Sequence, residues 1–353
     1  MNCLKEEIRK ILYNKSMIVF LVICTIFNIG LIIATSSKSV ELKKMSENYE
    51  YQSGQKIFKD IDGSELGSAY YDERYKKSNT LVALMHEKYQ KLESSLEMLS
   101  EQQADMSTYA GELTPYVHTV LFEYLTKALI IEGILLFAFL VLETSFMEYH
   151  NKTAYIVYSS FRGRRTVFDK MSAVLIIGTL CLAVLSLLCY FIFFHMWDFE
   201  KIWDSNIASS YNYINDYDDP IFMKPFITWT SFTVKQYFCA SIVLMIGIWL
   251  SWWLFSTLIV LANKKISVAI CALAACLILP YFGLFLFRQI PELYFLNNWS
   301  ITVNVYINQM WFTDLGYYTL FPWQETLSVV LHLFFGMTGL YVVYILFRRK
   351  DIC

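Results

Sequence analysis

The stretch ALIIEGILLFAFLVLETSFM, residues 128–147, decides the fold. Only Glu132 and Glu143 are ionisable in it, and a helix of about 20 residues rising 1.5 Å each matches a hydrocarbon core about 30 Å thick. Inside lipid every backbone N–H and C=O must find its partner within the segment, which makes helix the conformation such a run demands. Residues 17–35, 171–196, 237–262, 266–287 and 326–347 pass the same test. Six spans define an all-α polytopic membrane protein. The 353-residue chain agrees: 56% of its residues are hydrophobic and 17% charged, and its mean hydropathy is +0.41, too apolar for an ordinary soluble chain.

Charge placement orients the spans. Lys5, Arg9, Lys10 and Lys15 precede the first, Lys152, Arg162, Arg164, Arg165 and Lys170 fill the loop between the second and third, Lys264 and Lys265 follow the fourth, and Arg348, Arg349 and Lys350 close the chain. All fall on one side, and the opposite loops are acidic or mixed. Lys and Arg collect on the cytoplasmic face, so both termini are expected there, in a cell membrane. The first run reads as an uncleaved helix, because it is span-length and no convincing small-residue cleavage pattern follows it. A net charge of -2 gives no reason to expect a nucleic-acid partner.

Between the spans lie segments of different character. Residues 1–16 set Leu4, Ile8, Ile11 and Leu12 on one helical face with charges elsewhere, the pattern of an interfacial helix bound to membrane lipid. Residues 36–127 are long enough for an extracytoplasmic domain. Within it 79–101 reads as a helix with Leu81, Leu84, Met85, Leu92, Leu96 and Leu99 along one stripe, while Gly54, Gly63 and Gly67 mark turns. Residues 197–236 form an acidic outside loop. Residues 288–325 crowd aromatic side chains around Asn297, Asn298, Asn304 and Asn308, as expected of an interfacial or re-entrant segment shielded by neighbouring helices.

Catalytic and metal motifs are missing from the sequence. There is no phosphate-binding G-x-x-x-x-G-K-[ST] loop, no G-x-S-x-G elbow and no H-E-x-x-H, and the cysteines form no zinc spacing. No enzyme activity and no cofactor are expected in this chain. Glu132, Glu143 and His332 are the ionisable groups set within apolar runs, and such groups are functional candidates because charge is costly in lipid. Each lies near a span end, where reach to the headgroups or the bundle interior is the simpler explanation.

The loop 148–170 carries the sharpest signal. Glu148 ends the second span, Tyr155, Tyr158 and Phe161 offer an aromatic edge, and Arg162, Arg164 and Arg165 supply fixed guanidinium donors before Lys170 enters the third span. With six spans, the amphipathic start and the membrane-dipping segment before the last span, this arrangement resembles the type-2 ABC exporter permeases. In that family a Glu near the end of the second span precedes a short coupling helix, a Ser/Pro-type turn, Arg, and a Lys at the third span. Glu148, Ser159, Ser160, Arg164, Arg165 and Lys170 stand at those positions, and the Pro of the turn is absent.

The resemblance implies a coupling element around 149–162 that docks a separate ABC ATPase carrying ATP and Mg. It also implies a second permease copy or paralogue and a peptide or lipid substrate; bacterial variants with sizeable outside loops accompany export of, or self-protection against, antimicrobial peptides. Two other readings stay open: a non-transporting sensor or immunity protein with a ligand-binding outside domain, and a lipid-modifying enzyme using Asp216, Asp218, Asp219 and Glu325.

Overall fold

A computed structural model describes residues 2–46, 58, 61–63, 79–101, 113–150, 166–197, 199, 202–211, 226–263 and 265–349. Six of its helices are long and apolar enough to cross a membrane. The described residues contain no strand, only isolated bridges joining Asn206 to Thr233 and Thr228 to Thr313.

The chain opens with the amphipathic helix Asn2–Leu12, which packs on the start of the third span. Asn14 turns it into the first span by accepting the backbone N–H groups of Ser16 (2.8 Å) and Met17 (3.2 Å), donors that a helix N-terminus leaves without intrahelical partners. The first-span helix Lys15–Ser46 buries Met17, Cys24, Asn28 and Ile32, a single face at helical spacing, and exposes Ile18, Val22, Ile26 and Ile33. That exposed stripe is the surface a span offers to lipid.

Spans two and four form the centre. The second runs without a break from Leu113–His118 through a π-helical segment Thr119–Leu125 into Thr126–His150. It begins well before the apolar run and takes in residues assigned from sequence to the outside domain. The fourth, Val234–Ala262, starts with a capping box in which Thr233 and Gln236 satisfy each other's backbone N–H. It packs against the second and sixth spans. Gly133 permits the close approach: a Cβ there would stand 2.0 Å from the Trp249 indole Nε1, which donates to Ile130 O at 3.3 Å. The third span is Thr166–Met196, the fifth Ile266–Leu286 and the sixth lies in Gln324–Arg349.

Pro280 sits inside the fifth span. Having no N–H, it cannot serve the carbonyl one turn earlier. That carbonyl, Cys276 O, accepts the Thr302 hydroxyl at 3.5 Å, and Pro280 O accepts the Asn297 amide at 2.9 Å. Both donors come from the segment between spans five and six.

Candidate functional site

At the end of the bundle bearing helix Asn2–Leu12, spans two and three are tied together. Glu148 and Lys170 form an ion pair with both side chains almost wholly buried, and the Lys170 ammonium also donates to Thr144 O at 2.9 Å. The sequence places these two residues among contacts for a partner; in the structure they bind each other and close the base of the loop. Beside them Glu7 is buried and pairs with Lys10 at 2.6 Å, and Lys10 lies within the field of Glu148. The amphipathic helix, the end of the second span and the start of the third thus meet in one charged cluster. Tyr155, Tyr158, Phe161, Arg162, Arg164 and Arg165 lie outside the described residues.

The intramembrane candidates do not converge. The Glu132 carboxylate accepts the buried Asn28 amide of span one at 2.8 Å, with the Cys24 and Cys189 thiols nearby. Glu143 is half-buried, and its Oε2 has no hydrogen-bond partner among the described residues. His332 uses Nδ1 on Ser328 O at 2.7 Å and lies against the Phe255 ring. Glu132 and His332 make local contacts within the bundle, and among the described residues no hydrogen-bonded relay links the three.

The opposite end holds a polar centre that the sequence reading misses. Helix Asn79–Glu101 forms as its stripe predicts, with Leu81, Met85, Leu92, Leu96 and Leu99 buried. Lys88, on the same stripe three residues after Met85 and four before Leu92, is equally buried. Its ammonium pairs with Asp314 at 2.7 Å and donates to Gly316 O at 2.8 Å and Thr319 O at 3.1 Å. Burial pushes this ammonium below the ordinary lysine range, and the Asp314 carboxylate beside it pulls the other way. Asp314 Oδ1 also accepts the Gly316 N–H at 3.1 Å.

In the first turn of the last helix, Glu325 is buried and accepts the Phe312 N–H at 3.0 Å. Phe312 and Trp323 hold φ of 62° and 63°, a left-handed backbone that bulky residues rarely adopt. Trp229 N–H on Phe312 O at 3.0 Å and Asp314 N–H on Ile227 O at 3.1 Å fix the turn at Phe312 from the segment that leads into the fourth span.

The asparagines noted in sequence explain how this non-helical segment is tolerated. Its helices are short: Pro291–Asn297, Ile301–Tyr306, and 3-10 turns Asn308–Met310 and Gly316–Tyr318. Asn298 donates to Tyr318 O at 3.1 Å, Asn304 to the Ser328 hydroxyl at 3.1 Å and Asn308 to Phe122 O at 2.5 Å. Together with Asn297 they supply the donors that a shielded irregular backbone requires. The segment therefore packs as a cap against spans two, five and six.

Of the acidic group considered for lipid chemistry, Glu325 serves this architecture, and Asp216, Asp218 and Asp219 lie outside the described residues. Among the described residues no group of His, Cys, Asp and Glu is arranged to hold a metal. Fold and geometry define a multi-pass membrane protein of six apolar helices, with a charged cluster at one end and a buried Lys88–Asp314 pair at the other. No family model matches the chain, and no curated protein or solved structure matches it.

Proposed function

We propose that this chain is the permease subunit of an ATP-driven transporter of the type-2 ABC exporter class. It moves an amphipathic peptide or lipid outward, works as a pair with a second copy or a paralogue, and takes its energy from a separate ATPase carrying ATP and Mg. Both termini face the cytoplasm of a bacterial cell, and the ATPase docks on the loop bracketed by Glu148 and Lys170.

One observation carries the reading. The buried Glu148–Lys170 pair joins the two ends of that loop, and helix Asn2–Leu12 packs against the same place. A force applied to the loop is then delivered to spans two and three together instead of bending one of them. The second span passes it on through its packing with the fourth, and the fourth to the sixth. Because Glu148 and Lys170 are engaged with each other, contact with the ATPase falls to the residues between them, Arg164 and Arg165 foremost.

Purification of the tagged chain from its native membrane in mild detergent, with partners identified by mass spectrometry, tests this directly. A stoichiometric ATPase that copurifies with the native chain and is lost from an Arg164→Glu/Arg165→Glu variant supports it. Absence of any ATPase, under conditions that retain a control transporter complex, overturns it in favour of a sensor or immunity protein.

A further inference from the structure

A groove of about 290 Å³ runs between spans two and five, with the helix Ile301–Tyr306 along its edge. Its wall is apolar, built from Ile131 and Leu135 on the second span and Leu277 on the fifth. Ile131, Leu135 and Tyr281 are exposed on the outer surface of the bundle, so the groove opens sideways where the spans meet lipid. Lys127 stands at its end, one turn before Ile131, at the end of the apolar run remote from helix Asn2–Leu12.

Lys127 differs from the other buried cations described above. Lys88 and Lys170 each have a carboxylate within ion-pairing distance. Lys127 is half-buried and, among the described residues, is held by the Gln309 side-chain oxygen at 3.2 Å; Glu123, one turn earlier, contributes to its field but forms no ion pair with it. An ammonium offers three donors, and Gln309 takes one. A cation with donors to spare at the polar boundary, directly above an apolar slot reaching toward mid-membrane, matches an anionic headgroup over an acyl chain.

We propose that this groove is a binding site for an anionic phospholipid of the leaflet at that end, with Lys127 on the phosphate and the acyl chain along Ile131, Leu135 and Leu277. The site is independent of the transporter reading, since it requires only that the chain span a bilayer. Its Lys127–Gln309 contact also joins the second span to the cap, so the bound headgroup touches both.

Native mass spectrometry of the full chain, released from micelles supplemented with equal phosphatidylglycerol and phosphatidylcholine, tests the site. The expected result is one tightly retained lipid with about five- to tenfold preference for phosphatidylglycerol, the size one basic residue contributes near an anionic headgroup. Lys127→Gln removes the preference, Lys127→Arg restores it, and Leu277→Trp, which fills the slot, lowers retention of both lipids. An undiminished phosphatidylglycerol preference in Lys127→Gln overturns the proposal. So does a lipid-free dimer whose two copies cover the groove.

Discussion

Replacing Lys88 by Met keeps the length of the side chain and removes the charge. Three partners then lose the ammonium donor inside the protein: the Asp314 carboxylate, Gly316 O and Thr319 O. Removing one member of a buried ion pair costs about 3–5 kcal/mol because the other charge is stranded, and each orphaned carbonyl adds about 1 kcal/mol. The loss should be local, since helix Asn79–Glu101 meets the cap through this contact, while its Ser95 hydroxyl reaches Trp229 O, in the segment before the fourth span, at 3.3 Å. Hydrogen exchange followed by mass spectrometry on the protein in lipid nanodiscs reads the effect directly. A loss of 3 kcal/mol corresponds to about two decades in the exchange rate of amides protected by docking. Peptides covering 79–101 and 311–320 should show it, while those from spans two and four should not. Lys91→Met on the exposed face of the same helix serves as control. Adding Asp314→Asn to Lys88→Met should recover about 1 kcal/mol or more, because the stranded charge is gone. If Lys88→Met leaves the 311–320 peptides within about twofold of wild type, the ammonium does not hold the cap and the argument fails.

Gly133→Ala should destabilise the chain by about 1–3 kcal/mol in thermal or denaturant unfolding in detergent, because its Cβ meets Trp249; Gly30→Ala, with nothing within 4 Å, should be tolerated. Asn28→Leu leaves the Glu132 carboxylate without its span-one amide donor, and a loss of about 1 kcal/mol is expected, absent when Glu132→Gln is already in place. Glu148→Gln and Lys170→Met should each reduce protection of the amides at the base of the 148–170 loop, and the double variant should be less perturbed than the sum of the two, as measured by hydrogen exchange.

The spans were legible because lipid imposes one requirement on every residue of a crossing helix, and a run such as 128–147 announces it. Their starts were less so. Leu113–His118 and Thr119–Leu125 begin the second span ahead of the apolar run, and the backbone stays helical past Glu123 and Lys127, whose charges mark a boundary in the sequence. The helix Asn79–Glu101 was legible from its stripe, yet the stripe also contained Lys88. Periodicity placed that lysine on the buried face, while its polarity set it among the solvated residues; the deciding fact, Asp314 waiting 226 positions later, is a tertiary contact with no local trace. Glu148 and Lys170 stand out in sequence as ends of a charged loop, but 22 positions of separation carry no sign that each is the other's partner.

The asparagine-lined cap also sets an order of assembly. By the time residues 291–323 leave the ribosome, the acceptors of Asn308 on span two and of Asn297 on span five already exist. Those on the far side do not: Asn304 needs Ser328, the left-handed Phe312 needs Glu325, and Leu320 N–H needs the Gln324 side chain. A nascent chain ending at residue 323 therefore carries five of the six spans and a lid with its inner hydrogen bonds open to water. Arrival of the last span completes them, so the final helix acts as the keystone of biogenesis, and a stop codon just before it should leave a chain that inserts in the membrane and is then recognised as unfinished.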